Sequence, residues 1–166
     1  MSSNTPRPHR DDLPYRPCVG VMLLNNDGEA LVGKRIDQTM EGWQFPQGGI
    51  DDGESPVEAA YRELEEEIGT RNAVLLRELE GWLSYDLPPH LVGVALRGRY
   101  RGQRQKWLAM RFQGEDSEID VHTPEPEFAE WRWLALEALP RLVVPFKRDT
   151  YARVIAAFRD LATPKA

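Results

Sequence analysis

The chain has 166 residues, of which 41% are hydrophobic and 9% aromatic, a composition that can bury one core of ordinary size but not two. Its formal net charge of −6 argues against a general nucleic-acid coating protein, whose domain would be basic. The sequence contains neither an apolar run of membrane-spanning length nor a hydrophobic signal-peptide core in its first twelve residues.

The chain is predicted to fold as one domain over residues 13–162. Residues 1–12, rich in Pro, Arg and Asp, are predicted to form a disordered leader, and residues 163–166 a short tail. Cys18, the only cysteine, lies in an apolar run and cannot form an intramolecular disulfide. We therefore expect Cys18 to be a buried thiol in a reducing compartment, and the protein to be cytoplasmic.

Three strands are predicted before the middle of the chain. Residues 19–25 and 30–34 are expected to form a hairpin across Asn26-Asp27-Gly28, because Asp-Gly is a strong turn signal. Residues 43–45 form a short third strand.

A helix is predicted over residues 56–68 from local signals. Ser55 is a favourable N-cap, Pro56 suits the first helical position, Glu58 completes a capping box, and Gly69 supplies the stop.

This helix carries two stripes of different character. At about 100° per residue one stripe is apolar, and the neighbouring one contains Glu63, Glu66 and Glu67. Like charges at these spacings cost an isolated helix roughly 0.2 to 0.5 kcal/mol per pair, and the helix dipole disfavours anions near the C-terminus. The stripe is either a solvated acidic face or a site for a hard cation such as Mg²⁺ or Mn²⁺.

The rest of the chain predicts more strands and a second helix. Apolar runs favour strands over residues 73–79, 82–85, 106–112 and 131–134, and apolar residues at helical spacing predict an amphipathic helix over 147–161. A mixed sheet between helices is the natural packing. Five cations between Arg97 and Lys106, with Tyr100 and Trp107 interleaved, suit either phosphate binding and base stacking or a solvated charged loop.

The acidic helix belongs to a longer pattern that resembles the Nudix box of hydrolases acting on nucleoside diphosphates linked to another moiety. Fixed spacing joins Gly48, Glu54, Arg62, Glu63, Leu64, Glu66, Glu67 and Gly69. Thr70 departs from the pattern, because the family usually has an aliphatic residue there. The resemblance implies an α/β/α sandwich with a mixed β-sheet.

By this resemblance the metal ligands are Glu63, Glu66, Glu67 and the carbonyl of Gly48. Glu54 and Arg62 would brace the loop and helix through hydrogen bonds and a salt bridge. One further carboxylate is expected from outside the box; Glu127, in the turn-rich segment before the last strand, is favoured over Glu125. More than one Mg²⁺ or Mn²⁺ ion is expected, and the carboxylates would also supply the catalytic base.

Segments outside the box resemble the bacterial RNA pyrophosphohydrolase branch of the family, including Tyr15-Arg16-Pro17, the run from Gly42 to Ile50, the run from Gly102 to Trp107, and the run from Phe146 to Tyr151. By position, the predicted contacts to phosphates or bases are Arg16, Arg35, Tyr85, Arg104, Lys106 and Phe146.

The branch resemblance implies removal of pyrophosphate from the 5′-triphosphate end of RNA, which triggers RNA decay. Diphosphorylated RNA is a related substrate. Asymmetric hydrolysis of diadenosine tetraphosphate and other dinucleoside polyphosphates is the alternative, and a non-catalytic regulator that binds nucleotides is a lesser one. Neither a membrane nor an obligate protein partner is expected.

Overall fold

The computed structural model describes residues 9–36 and 42–164. Its strands are β1 (Tyr15–Leu24), β2 (Ala30–Arg35), β3 (Trp43–Gln44), β4 (Gln47–Gly49), β5 (Ala73–Glu78), β6 (Leu83–Asp86), β7 (Gly102–Phe112) and β8 (Phe128–Leu134). The α-helices are α1 (Pro56–Ile68) and α2 (Arg148–Phe158). Short 3-10 helices occupy several of the connections.

The strands form one mixed sheet in which β1 is central. Along its whole length β1 pairs in parallel with β7, from Tyr15 opposite Gly102 to Leu24 opposite Arg111. On its other edge β1 pairs antiparallel with β4, and β2 pairs with β3 and β8. The path across the sheet is β3-β2-β1-β7-β5, with β6 on β7.

The predicted hairpin is confirmed at its turn but not along its strands. The N–H of Asn25 donates to the carbonyl of Glu29 at 2.9 Å, yet β1 and β2 pair only at Leu24 and Ala30. The two strands diverge because β1 finds its partners in β7 and β4, while β2 finds its partner in β8.

Two hydrophobic cores lie on opposite faces of the sheet, because side chains alternate along each strand. Val19, Val21 and Leu23 pack beneath α1. Met22 and Leu24 face α2 with Trp107 and Phe158. This mixed sheet between two helices is the predicted α/β/α sandwich.

Both helices form close to where the sequence predicts them. The hydroxyl of Ser55 accepts from the N–H of Glu58, and Gly69 ends α1 with a left-handed φ of 75°. Thr70, the departure from the pattern, accepts at its hydroxyl from the N–H of Asn72 and so stabilises the turn after α1. The second helix is shorter than predicted, because residues 159–161 form a 3-10 turn.

The predicted leader and tail fall largely outside the described residues, which exclude 1–8 and 165–166. The last part of the leader, Arg10–Asp12, forms a 3-10 helix. Within the described ranges, neither helix has the length and apolar character needed to cross a membrane.

Candidate active site

The side chain of Glu63 on helix α1 lies directly against Gly48 of strand β4. Gly48 pairs with Val19 of β1, which places its Cα beneath the carboxyl group of Glu63. A Cβ atom at Gly48 would overlap that carboxyl group. The glycine therefore lets the carboxylate and the β4 backbone lie side by side.

Arg62 connects the helix to the loop before it. Its Nε and Nη2 atoms each donate to one Glu54 oxygen at 2.8 Å, and Nη2 also donates to the Gly49 carbonyl at 2.7 Å. Its Nη1 atom donates to Glu63 at 2.9 Å and to Glu66 at 3.2 Å. The hydrogen bond from Arg62 lowers the pKa of Glu54 to about 2. Arg62 thus joins the loop to the helix, and the role of this pair in bracing a metal site stays a prediction.

The two inner carboxylates of α1 are buried. Burial raises the pKa of Glu63 to about 7, although the hydrogen bond from Arg62 opposes this. Glu67 is only 3% exposed and accepts from the N–H of Gln47 at 3.2 Å. Burial, followed by the charges of Glu63 and Glu127, raises the pKa of Glu67 well above its ordinary value. Both groups therefore favour accepting a proton or a cation.

The outer carboxylates complete the acidic side of a cleft of about 480 Å³. Glu66 is exposed on α1, and Glu127 enters from the segment before β8. Glu127 lines both this cleft and a smaller cavity of about 240 Å³ against α1, whereas Glu125 lines the smaller one alone. The placement favours Glu127 over Glu125 as the additional carboxylate.

The donor set at this face of α1 fits a hard divalent cation. It consists of carboxylate oxygens, and the charges of Glu63 and Glu127 both act on Glu67. Within residues 9–36 and 42–164, no group of three or more Asp, Glu, His or Cys side chains is arranged so that it could hold a metal ion. A cation bound here would therefore need ligands besides these carboxylates, such as backbone carbonyl, water or substrate phosphate oxygens, which Mg²⁺ commonly accepts.

Three cations line the same cleft as the carboxylates: Arg16, Arg35 and Lys147. The amide oxygen of Gln44 accepts from Arg35 Nη1 at 3.4 Å and from Lys147 Nζ at 3.3 Å. Burial, reinforced by the charge of Arg35, lowers the pKa of Lys147 to about 7. Cations in the same cleft as the carboxylates can bind the oxygens of a polyphosphate beside them.

A third wall of the cleft is apolar. It is formed by the segment after β6 and consists of Leu87, Leu91, Val94, Ala95 and Leu96. Tyr85 also lines the cleft, and its ring lies 5.6 Å from that of Phe146, measured between centroids. This wall and the Tyr85 ring can contact the planar face of a nucleobase, whereas Phe146, also predicted to contact substrate, packs on Tyr85 and does not itself line the cleft.

Arg104 and Lys106, also predicted to contact substrate, lie outside the cleft. Gln103 is the β7 residue that pairs with Tyr85, whereas Arg104 pairs with Ser84, so Arg104 projects from the opposite face of the sheet from Tyr85. The Arg104 guanidinium lies over the ring of Trp82 at 4.3 Å, and Lys106 Nζ donates to the Gly81 carbonyl at 3.3 Å.

Sequence reasoning did not single out several residues that line the cleft, notably Gln44, Gln47, Gln103 and Lys147. Alternation gave no signal for Gln103, because Gln103, Arg104, Gln105 and Lys106 are four consecutive polar residues at the start of β7. Lys147 lay within the predicted second helix, where a basic residue ordinarily faces solvent.

Comparisons with known proteins agree with this geometry. A model of the NUDIX domain matches residues 14–154. The RNA pyrophosphohydrolase of Rhizobium meliloti is 52% identical over 91% of this chain and 97% of its own length. That of Rhodospirillum rubrum is 54% identical over 92% of each. The E. coli dihydroneopterin triphosphate pyrophosphohydrolase has a similar structure, with a TM-score of 0.66, 20% identity and coverage of 87% of this chain and 99% of its own. A C. elegans Ap4A hydrolase has a TM-score of 0.61, 18% identity and coverage of 86% and 98%.

Proposed function

Because the chain belongs to the Nudix family, we propose that it removes pyrophosphate from the 5′-triphosphate end of RNA and leaves a 5′-monophosphate. The observation that carries the proposal is the cleft itself, which combines four carboxylates with three cations: Glu63, Glu66, Glu67, Glu127, Arg16, Arg35 and Lys147. Relatives about half identical over most of the chain are named RNA pyrophosphohydrolase, which favours RNA as the substrate.

Nudix hydrolases generally use divalent metal ions, and the donor set described above fits such an ion. In this chain Glu63, Glu66, Glu67, Glu127 and the carbonyl of Gly48 would hold Mg²⁺ or Mn²⁺. When bound, the cation neutralises phosphate oxygens and lowers the pKa of bound water.

The protein's own groups bind, orient and move protons around that ion. Arg16, Arg35 and Lys147 bind the phosphate oxygens and hold the anhydride in line with the carboxylates. Water attacks phosphorus, one phosphoanhydride bond breaks, and pyrophosphate leaves. The proton lost by the water passes to the coupled set of Glu63 and Glu67, whose raised pKa values suit a base near neutral pH.

A second substrate class is the alternative, because the apolar wall and Tyr85 also suit a purine. A dinucleoside polyphosphate such as diadenosine tetraphosphate offers the same anhydride with a base at each end. Loss of the metal ligands would favour a non-catalytic regulator, yet every carboxylate of the box is present. We propose that the protein acts in the cytoplasm, because its single buried cysteine, Cys18, fits a reducing compartment.

The test compares initial rates on 5′-triphosphorylated RNA and diadenosine tetraphosphate at equal concentration with Mg²⁺. Glu67→Gln is the inactive variant, and Glu65→Gln, an exposed neighbour on the same helix, is the matched control. We expect RNA to be cleaved faster, Glu67→Gln to lose at least about 100-fold, and Glu65→Gln to stay within about 2-fold.

The other outcomes discriminate between the candidate functions. Faster cleavage of the dinucleotide would make it the primary substrate. Full activity of Glu67→Gln would contradict the ligand assignment, and no turnover of either substrate would favour the non-catalytic regulator.

A further inference from the structure

A series of buried hydrogen bonds runs along β7 from the hydrophobic core to the candidate active site. Gln103, Gln105 and Trp107 alternate along the strand, so their side chains lie on one face of the sheet. Trp107 Nε1 donates to Gln105 Oε1 at 3.1 Å, and Gln105 Nε2 donates to Gln103 Oε1 at 2.8 Å. Of these three residues, only Gln103 lines the cleft. We refer to the three side chains as the β7 hydrogen-bond chain.

The direction of these hydrogen bonds is fixed at the Trp107 end. An indole N–H can only donate, whereas a side-chain amide has a donor end and an acceptor end. Because Trp107 donates, Gln105 turns its oxygen toward the indole and its nitrogen toward Gln103. The oxygen of Gln103 is therefore occupied by Gln105, and its NH2 group is the free end. Within residues 9–36 and 42–164, Gln103 Nε2 makes no hydrogen bond.

The indole of Trp107 is held in place by the core around it. Trp107 is fully buried, and its ring lies edge-on to those of Phe45 and Tyr151, at 5.7 and 5.6 Å between centroids. On the neighbouring strand, a Cβ atom at Gly20 would overlap the Trp107 ring. The indole therefore packs against a glycine that leaves room for it, and core packing sets the direction of its N–H.

A second amide of the cleft is joined to the same hub. Gln105 Nε2 also donates to Gln47 Oε1 at 3.4 Å, and one NH2 group has two hydrogens with which to serve two acceptors. Gln47 lines the cleft, and its backbone N–H donates to Glu67 at 3.2 Å. The longer distance makes this the weaker of the two contacts of Gln105, so Gln103 is the amide that the hub orients most strongly.

We propose that Trp107 and Gln105 are positioning residues that hold the NH2 group of Gln103 in the cleft as a hydrogen-bond donor to oxygen atoms of the substrate. This inference rests on the proposed function in that the ligand is a polyphosphate. Phosphate and ribose oxygens both accept hydrogen bonds, and the charged phosphate oxygens accept the stronger ones. An amide without this restraint could rotate and present its oxygen, which repels those acceptors. The β7 hydrogen-bond chain removes that alternative before the substrate binds.

The experiment measures the Kd of two ligands that cannot be hydrolysed, in the presence of Mg²⁺. One is an adenosine triphosphate analogue with methylene bridges, and the other is methylenediphosphonate, which has phosphonate oxygens but neither ribose nor base. Gln105→Met breaks the hydrogen-bond chain outside the cleft with a side chain of similar length. Val154→Ala, a buried residue of α2 in the core that contains Trp107, is the control for lost stability. Backbone amide NMR signals check that each variant is folded.

We expect Gln105→Met to weaken binding of the nucleotide analogue by about 10-fold, and Val154→Ala by less than about 2-fold. Gln103→Met should cause a similar loss. In the Gln103→Met background, Gln105→Met should cost less than about 3-fold more, because the residue it positions is gone. On triphosphorylated RNA the loss from Gln105→Met should appear mainly in KM. An equal loss from Gln105→Met with and without Gln103, or an equal loss in the control, would overturn the proposal.

Trp107→Phe tests the fixed end of the chain, because it keeps a ring in the core and removes the donor. Binding of the nucleotide analogue should weaken by about 3-fold or more, and unchanged binding would show that the indole N–H does not set the orientation of the amides.

The two ligands identify the oxygen atoms that Gln103 contacts. A loss by Gln105→Met with both ligands supports a contact with phosphate oxygens, and a loss with the nucleotide analogue alone supports a contact with the ribose. Binding also separates this proposal from the proposed function. If the wild type fails to hydrolyse triphosphorylated RNA, the proposed function fails, while weaker binding by Gln105→Met still supports the positioning role. Rapid hydrolysis of RNA with unchanged binding by Gln105→Met refutes the positioning role alone.

Discussion

Replacing Glu54 by Gln tests the ion pair that braces the candidate site. The bidentate pair with Arg62 has two distances of 2.8 Å, and the Glu54 side chain is only 15% exposed. The pKa of Glu54 falls from its ordinary value of 4.5 to about 2. At about 1.4 kcal/mol for each pKa unit, the charged form contributes about 3 kcal/mol to folding. The amide keeps one acceptor, and Arg62 can turn toward Asp51, so we expect a loss of about 2 kcal/mol.

The pH dependence identifies the cause of that loss. The folded pKa lies below the unfolded one, so the stabilisation is complete above about pH 5 and is lost as the pH falls toward about 2. Urea unfolding of the wild type and Glu54→Gln should therefore give a constant difference from pH 7 to 5 and less than half of it at pH 3. Asp52→Asn, an exposed neighbour in the same turn, should show almost no difference.

Activity provides a second measurement on the same variant. Arg62 also binds the Gly49 carbonyl and Glu63, so a loosened Arg62 should lower kcat by about 10- to 100-fold without removing a ligand. A destabilisation that does not change with pH, or one that Asp52→Asn reproduces, would show that the Glu54–Arg62 ion pair is not its cause.

Three further variants test other parts of the site. Gly48→Ala should lower kcat/KM by at least about 100-fold, because its methyl group would overlap the Glu63 carboxyl; wild-type kinetics would contradict the close approach. Lys147→Met should raise the free energy of unfolding at pH 7 by a few kcal/mol while weakening substrate binding, because Lys147 is buried with a pKa of about 7 against an ordinary 10.5. Between pH 7 and 10.5 the unfolded state binds more protons at Lys147 than the folded state does. The free energy of unfolding of the wild type should therefore rise with pH through that range, and its difference from that of Lys147→Met, measured by urea unfolding, should narrow. Arg104→Ala should change kcat/KM by less than about 3-fold, whereas Arg35→Ala should lower it by at least about 10-fold. Equal losses would show that Arg104 contacts the substrate.

Local signals were sufficient for the acidic helix. Capping by Ser55, termination at Gly69 and the 3.6-residue period place Glu63, Glu66 and Glu67 on one face whatever the rest of the chain does. The same locality explains why the turn at Gly28 was predicted correctly.

Long-range pairing established what local patterns could not. The parallel register of β1 with β7 joins segments far apart in the chain, and turn chemistry carries no information about it. That register sends Gln103 toward the cleft and Arg104 to the opposite face, because adjacent residues of a strand alternate. Arg104 and Lys106, which belong to the basic run in the sequence, therefore do not line the cleft.

The family pattern, the acidic face of α1 and the bracing pair Glu54 and Arg62 could all be predicted from the order of residues, since they lie within one loop and one helix. Which cations meet those carboxylates depends on the folded arrangement. Arg16, Arg35 and Lys147 come from three separate elements, and they converge because the sheet and the burial of Lys147 beside Gln44 bring them to one wall. Their charges act over a few ångströms, and distances in space cannot be read from the separation of residues along the chain.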